Sequence, residues 1–446
     1  MSNHQGGESL TTFLSVRKGE RLITSLLFGW LFLFICVYYV LRPIRRGLFL
    51  DGLGNEYMPF VYMGTAAVTG VVVWLYSKFS RVPRRKLIGS VYGIFLANLI
   101  AWWEVFKHES VLASGVFWVW LDVFSIMGVT LFWMYANDVF DSAKAKRLFG
   151  LIAAGGGFGA ILGSSLTASL VGIVGTTNML LVAAAIVALT LGIFLVIEKI
   201  NEGEPLQRAA APEFERCDTS KITSVLKTIV ENKFLLFLML AVAFERVTPD
   251  FVQFCYNEIL KGMATGRDAI AALDANLERW RGLAELVVDI FLVSFVLKRL
   301  GTGFALTSSA ATILAGLITF AVVPNPIVIM TIFHLDEGMR HAWFKAAKEL
   351  TYTVTSRDVL YNVKPVIEMF CYRFARGAAG LMIYFVYSVL GLGTTGVMIA
   401  GGACAAGWLY CGLRLSREYK RLELEATKRA WEEQLAQTAP LAAAKK

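Results

Sequence analysis

Apolar stretches of about 20 residues recur along the chain, separated by short polar or charged segments, and that length is what one α-helix needs to cross a bilayer core. The pattern predicts spans over residues 22–49, 57–77, 87–105, 112–138, 148–173 and 177–198. After a polar interval it predicts six more, over 233–258, 282–300, 303–322, 325–350, 364–390 and 394–415. The expected fold is therefore an all-α membrane protein with twelve transmembrane helices in two six-helix halves. The interval EKINEGEPLQRAAAPEFERCDTSK is too polar to span and is expected to link the halves. The predicted organisation is an N-terminal half over 1–198, a cytoplasmic linker over 199–232, a C-terminal half over 233–415 and a helical cytoplasmic tail over 416–446.

Composition agrees with that division. Of 446 residues, 56% are hydrophobic and only 17% charged, against about 25% charged in an ordinary soluble domain. Disordered, fibrous and soluble classes are excluded, and the formal charge of +9 must be concentrated outside the apolar spans. The six cysteines form no CxxC or Cys/His pair, so neither a disulfide framework nor a metal site is expected. Residues 1–21 lack the layout of a signal peptide, so the first apolar stretch is expected to be retained and to act as the insertion signal.

The distribution of basic residues orients the spans. Lys78, Arg81, Arg84, Arg85 and Lys86 follow span 2, Lys144, Lys146 and Arg147 follow span 4, and Lys298 and Arg299 follow span 8. The loops after spans 1, 5, 9 and 11 (DGLGNEYM, GIVGTTN, VPNP and GLGTT) contain no Lys or Arg. The alternation predicts both termini on the cytoplasmic side. The segment Lys261–Arg281 mixes both charge signs and reads as an outer loop carrying a short external helix.

Candidate chemistry lies in charges at membrane depth, each of which costs about 2.5–3.5 kcal/mol on insertion scales and tends to face a cavity or a partner. Span 1 carries Arg42, Arg45 and Arg46 in YYVLRPIRRGLFL, with Pro43 among them. Arg42 and Arg46 are four apart and share a face. Two outcomes are open: the three snorkel to the outer interface, or they face a cavity as an anion site. The second is favoured, because three arginines at an outer end oppose the charge trend of the loops.

Span 7 places Glu245, Arg246, Asp250 and Gln253 in LMLAVAFERVTPDFVQFCYNEIL, with Pro249 positioned to kink it. Its acids are candidates for coupling, and an internal Glu–Arg network between the two halves is the competing interpretation. Asp122 in span 4 and Asp289 in span 8 are single acids with no identified partner. Span 10, TIFHLDEGMRHAWFKAAKELTY, brings His334, Glu337, His341, Lys345 and Lys348 onto one stripe. The seven-residue separation of the histidines is poor geometry for a shared metal, so charge pairing along a cavity wall is expected, with a titrating histidine as an alternative. Span 11 adds Lys364, Glu368, Arg373 and Arg376, and guanidinium groups suit bidentate recognition of phosphate or carboxylate. The run IAAGGGFGAILGSS in span 5 lacks the Lys-Ser/Thr ending of a phosphate loop and reads as a close helix-packing surface.

Two six-helix halves joined by a cytoplasmic linker match the architecture of major-facilitator transporters, whose halves rock about a central site. SKFSRVPRRK loosely resembles that superfamily's basic loop after helix 2. A faint internal repeat sets Phe132, Trp133 and Ala136–Val139 against Trp343, Phe344 and Ala347–Leu350. At these residues the chain resembles the ATP/ADP translocase family of bacterial and plastid nucleotide transporters. The strongest stretch is AAKELTYTVTSRDVLYNVKPVIEMFCYRFARGAAG. There Lys348, Glu349, Tyr352, Lys364, Glu368, Arg373, Arg376 and Gly377 occupy the family's pattern. YVLRPIRRGLF is similar to its helix-1 motif, with Arg42 and Arg45 at basic positions. Pro43 and Arg46 stand where the family has aspartates, Arg376 replaces a lysine, and span 7 has no convincing match.

The residues and the resemblance together imply a secondary transporter of the bacterial inner membrane that moves an anionic, phosphorylated or nucleotide metabolite by alternating access. Arg42, Arg45, Arg246, Arg340, Lys348 and Arg373 are the expected substrate ligands. Glu245, Asp250, Glu337, Glu349 and Glu368 are the expected gating or coupling acids. The alternatives are a proton-coupled exporter of an organic anion or amphipathic compound, and a non-transporting receptor or assembly factor that uses the tail. No catalytic, metal or cofactor motif is found, so no enzyme activity, cofactor or nucleic-acid partner is expected. The chain is expected to be a monomer in the bilayer.

Overall fold

The computed structural model describes residues 18–78, 84–108, 110–140, 142–200, 219–353, 355, 363–364 and 366–443. All regular elements among them are helical. In order they are α1 (Arg21–Gly52), α2 (Met58–Lys78), α3 (Arg84–Lys107), α4 (Val111–Val139), α5 (Ser142–Ile200), α6 (Thr219–Glu231), α7 (Lys233–Met263) and α8 (Arg267–Phe291). They continue with α9 (Val293–Phe295), α10 (Gly301–Val322), α11 (Pro326–Met339), α12 (Lys345–Thr353), α13 (Tyr372–Tyr384) and α14 (Gly393–Ala443). Among the described residues, six helical stretches are long and apolar enough to cross a membrane by length and composition.

Local chemistry accounts for the breaks. α5 contains both predicted spans 5 and 6 and bends at Gly175, whose φ of 79° lies in the left-handed region that favours glycine. α11 starts at Pro326, where a missing N–H costs nothing, and the Asn325 side chain accepts from the Ile327 N–H at 2.9 Å. Pro43 and Pro249 lie inside α1 and α7, and both helices run through them. α14 continues from the last apolar span into the charged tail, where Arg421 pairs with Glu425 at 3.1 Å within one turn.

One expectation is overturned. The segment Lys261–Arg281 is not a loop with a short external helix, because one helix begins at Arg267 and continues to Phe291. The mixed charges that made it look solvated are mostly turned inward: Asp274 and Glu278 are fully buried and Arg281 is 5% exposed. Ile270, Ala271, Asp274, Ala275 and Glu278 share the buried side at helical spacing.

Contacts divide the chain into two compact units. Unit 1 comprises Met1–Phe214 and Asn257–Leu286, and unit 2 comprises Glu215–Tyr256 and Val287–Lys446. Unit 1 is organised on α1 and α5. Gly155, Gly159 and Gly163 face the backbone carbonyls of Phe28, Phe32 and Cys36, so closely that a Cβ on any of the three would collide. One turn further on, the Thr167 hydroxyl donates to the Val40 carbonyl at 3.2 Å. Lipid tails are as apolar as leucine, so helices in a bilayer associate through close packing and polar contacts rather than water exclusion. Small residues every four positions bring the two backbones together.

The other side of α1 meets an aromatic cluster. The Trp30 indole donates to Tyr92 Oη at 2.8 Å and packs against Phe132, Tyr135 and Phe194. Gly128 leaves the space that the Phe34 ring fills.

Unit 2 packs α10 against α14 and α11. Gly401 and Gly407 of α14 admit the rings of Phe251 and Phe244 from α7. Tyr256 stacks on Phe333 with ring centroids 4.3 Å apart.

Candidate functional site

The α1 arginines do not snorkel: Arg42, Arg45 and Arg46 are 6%, 4% and 1% exposed. They divide between two helical faces. Arg45 donates to Asp122 of α4 at 2.6 Å and lies 4.4 Å from the centre of the Trp118 ring. The Thr65 hydroxyl of α2 also donates to Asp122, at 3.2 Å. Asp122, which had no partner in the sequence, is therefore the counter-ion of Arg45. Arg42 and Arg46, one turn apart, face α8. Arg42 pairs with Glu278 at 3.3 Å, and Arg46 pairs with Asp274 across 228 residues of sequence. Arg281 extends the cluster, donating to Glu278 at 2.9 Å, to Glu285 at 2.6 Å and to Tyr39 Oη at 2.7 Å.

This arrangement depends on a close approach of α1 to α8. A Cβ on Gly47 would strike the Arg267 carbonyl oxygen and Ala271, so only glycine lets the two backbones come near enough for the acids to reach the arginines. Further along, Glu258 accepts from the Asn55 amide at 2.8 Å, and Asp268 accepts the Thr176 N–H at 2.7 Å beside the Gly175 bend.

At the other end of α1, Arg147 bridges to Glu20 at 2.8 Å. Arg85 bridges to Glu198 at 3.0 Å, and Glu198 also accepts from Tyr135 Oη at 2.6 Å. Both arginines belong to the basic segments after predicted spans 2 and 4.

In unit 2 the charged residues of α7 and α11 form a network. Arg246 pairs with Asp250 one turn on at 3.5 Å, and Arg340 pairs with Asp336 at 2.9 Å and with Glu245 at 3.6 Å. The charged residues of span 7 thus pair with one another and with α11 inside unit 2. Asp336, fully enclosed at 2% exposure, was not singled out by sequence reasoning. Its four-residue spacing to Arg340 was the available signal.

The expected continuous stripe on span 10 is interrupted. Arg340–Phe344 is a π-helical turn, and one extra residue per turn rotates everything after it by about 100° relative to an unbroken helix. His341 is exposed, with Nδ1 2.7 Å from the Glu337 carbonyl, and Lys345 is exposed as well. Lys348 is half-buried and pairs with Glu368 at 3.2 Å, while Glu349 takes Lys364 at 2.7 Å. The Arg373 side chain lies outside the described residues.

No candidate cation whose side chain is described stands alone: Arg42, Arg45, Arg246, Arg340 and Lys348 each face a carboxylate. An anion bound at these residues would compete with those carboxylates.

The chain is similar to several known proteins. The profile of the family described as TLC ATP/ADP transporter matches residues 111–334. ADP,ATP carrier protein 1 of Chlamydia trachomatis is 21% identical over an alignment covering 91% of this chain and 90% of the carrier. ADP,ATP carrier protein 3 of Rickettsia bellii is 19% identical, covering 90% of this chain and 88% of the carrier. Among solved structures, the nucleoside transporter NupG superposes with a TM-score of 0.62 at 14% identity, over 88% of this chain and 99% of that one. A D-xylose-proton symporter gives 0.57 at 14% identity, over 88% and 96%. The fold shared with these neighbours is that of the major-facilitator transporters.

Proposed function

The chain belongs to the TLC ATP/ADP transporter family, a multi-pass membrane transporter and not an enzyme, and on that premise we propose that it exchanges anionic, phosphorylated metabolites by alternating access. A nucleotide is the substrate class that the relatives' names point to. The observation that carries the anion reading is the buried pairing of Arg42 and Arg46 with Glu278 and Asp274. Bringing two arginines to membrane depth costs several kcal/mol, and a transporter of anions has a use for them that a passive scaffold does not.

In this reading twelve spans form the halves 1–198 and 233–415, joined by the linker 199–232, and the chain works as a monomer in a bacterial cytoplasmic membrane. The Arg147–Glu20 and Arg85–Glu198 bridges collect basic segments at one end of α1, which supports a cytoplasmic assignment for that end by the positive-inside rule. The arginine cluster then faces the outer side. Arg42, Arg45, Arg246, Arg340, Lys348 and Arg373 serve the substrate, with Arg45 held in place by Asp122. Glu245, Asp250, Glu337, Glu349 and Glu368 compete with it or couple its movement. The tail 416–446 is cytoplasmic.

A second reading rests on one observation in unit 2. Glu245, Asp250 and Asp336 bring three carboxylates to two arginines, and a proton could compensate the extra negative charge. That is the arrangement a proton-coupled exporter of an organic anion needs.

The test is ligand-dependent thermal stabilisation of the purified protein, because bound ligand stabilises in proportion to the logarithm of its concentration. ADP, ATP and pyrophosphate are expected to raise the unfolding temperature, and monocarboxylates are not. Stabilisation by monocarboxylates alone would overturn the phosphorylated-substrate reading.

A further inference from the structure

We propose that Asp274 and Glu278 are substrate-competing counter-ions: they occupy on Arg42 and Arg46 the positions that two phosphate charges of the transported anion take, and acids and anion replace one another in each cycle. The proposal rests on the anion-exchange reading and adds to it a two-cation subsite with a minimum charge for the substrate.

The two sides of α1 differ in how they are joined to their neighbours. Toward α5 the contact is backbone against backbone, with Gly155, Gly159 and Gly163 under the Phe28, Phe32 and Cys36 carbonyls. No water or ligand fits there, and a slide of one position would drive side chains into the carbonyls. Toward residues 257–286 there is one close backbone approach, Gly47 under the Arg267 carbonyl, and the rest of the contact is polar: Asn55 with Glu258 and Asn257, Thr176 with Asp268, Arg42 with Glu278, Arg46 with Asp274, and Tyr39 with Arg281. A carboxylate on this face can be exchanged only for a group that supplies the same charge and hydrogen bonds, because a buried arginine left without a partner is costly.

Charge sets the substrate requirement. Arg42, Arg46 and Arg281 stand against Asp274, Glu278 and Glu285, so the seated cluster is balanced. With the acids withdrawn, Arg42 and Arg46 present two cations one helical turn apart. A monoanion would leave one arginine without compensation at membrane depth, which is costly. A diphosphate supplies both charges. The same penalty holds the empty protein closed, because the acids cannot leave until another anion arrives, and this gives exchange rather than net flux.

The experiment compares wild type with Glu278→Gln and Asp274→Asn in proteoliposomes loaded with ADP, reading labelled ADP uptake against concentration. Removing one competing carboxylate while keeping its shape is expected to lower the half-saturation for ADP about tenfold and to reduce maximal turnover, because release now lacks the acid that displaces the ligand. A purely structural role would lower protein stability and leave half-saturation unchanged, and unchanged or higher half-saturation in a folded variant overturns the proposal.

Should neither variant fold, hydrogen exchange on wild type decides. Saturating pyrophosphate is expected to speed exchange in peptides from 267–286 and to leave 155–167 protected, and no change in 267–286 overturns it. Wild type that moves a different solute and neither binds nor exchanges ADP would instead refute the function reading on which this rests.

Discussion

The charges of unit 1 and those of unit 2 are satisfied in different ways. In unit 1 each α1 arginine reaches a carboxylate far away in sequence, Asp122, Asp274 or Glu278, and every partner is nearly or wholly buried. The helices that carry them are regular. In unit 2 Arg246 and Arg340 take acids one turn away on their own helices, and the pairs described that link separate elements there are Arg340–Glu245, Lys348–Glu368 and Lys364–Glu349. There π-helical turns interrupt the ladder among the described residues, at Val296–Leu300, Arg340–Phe344, Val366–Cys371 and Phe385–Val389. Long-range buried pairs fix tertiary contacts and are costly to break one partner at a time. Pairs within a turn travel with their helix, and a π turn lets that helix rotate its register. The difference assigns to unit 1 the charges that part only when another anion takes the carboxylate's place, and to unit 2 the charges that shift with their own helix.

Arg46→Leu should break the comparison most severely. It strands Asp274 at zero exposure, and loss of one member of a buried pair costs about 3–5 kcal/mol. Thermal unfolding should show a large drop that the double change Arg46→Leu with Asp274→Leu largely restores, while ADP exchange stays lost in both. Equal transport in the double variant and wild type would show the pair to be structural only. Next in size, Gly159→Val forces a side chain against the Phe32 carbonyl, an overpacking cost of about 1–3 kcal/mol. Stability and exchange should fall together, because α1 would lose its fixed position on α5.

In unit 2 the order reverses, with function changing more than stability. Arg340→Lys keeps the charge and loses the fork that reaches Asp336 and Glu245 together. Exchange should fall about tenfold while stability falls less than in Arg46→Leu, since lysine keeps a positive charge facing the buried Asp336 and Glu245. A stability loss as large as that of Arg46→Leu would erase the distinction between the units. The smallest effect is expected for Lys364→Gln. Its partner Glu349 is 49% exposed at the side chain, and a pair of that kind is worth about 0–1 kcal/mol.

Much of this was legible in the sequence. The helical class followed from the length and spacing of apolar stretches, and the glycines of α5 announced close packing because they recur every four residues. The placement of Arg42 and Arg46 on one face was equally readable. Their partners were not, because nothing local connects residue 46 with residue 274. The mixed charge of residues 267–285 imitates a solvated helix, and only tertiary packing turns its acids inward. The break in span 10 escaped for a related reason: a π turn changes no residue type, so a stripe drawn at 3.6-residue spacing runs straight through it. Asp336 was hidden among more conspicuous neighbours, although its four-residue spacing to Arg340 was present.

The most direct measurement is counterflow of labelled ADP in proteoliposomes with no imposed ion or voltage gradient, comparing wild type with Arg42→Gln and Arg46→Gln. Exchange through arginines that swap acids for phosphates predicts that ADP inside drives accumulation of labelled ADP, that empty vesicles show little uptake, and that both substitutions abolish the accumulation in folded protein. Counterflow that survives both substitutions, or uptake into empty vesicles as fast as into loaded ones, would contradict it.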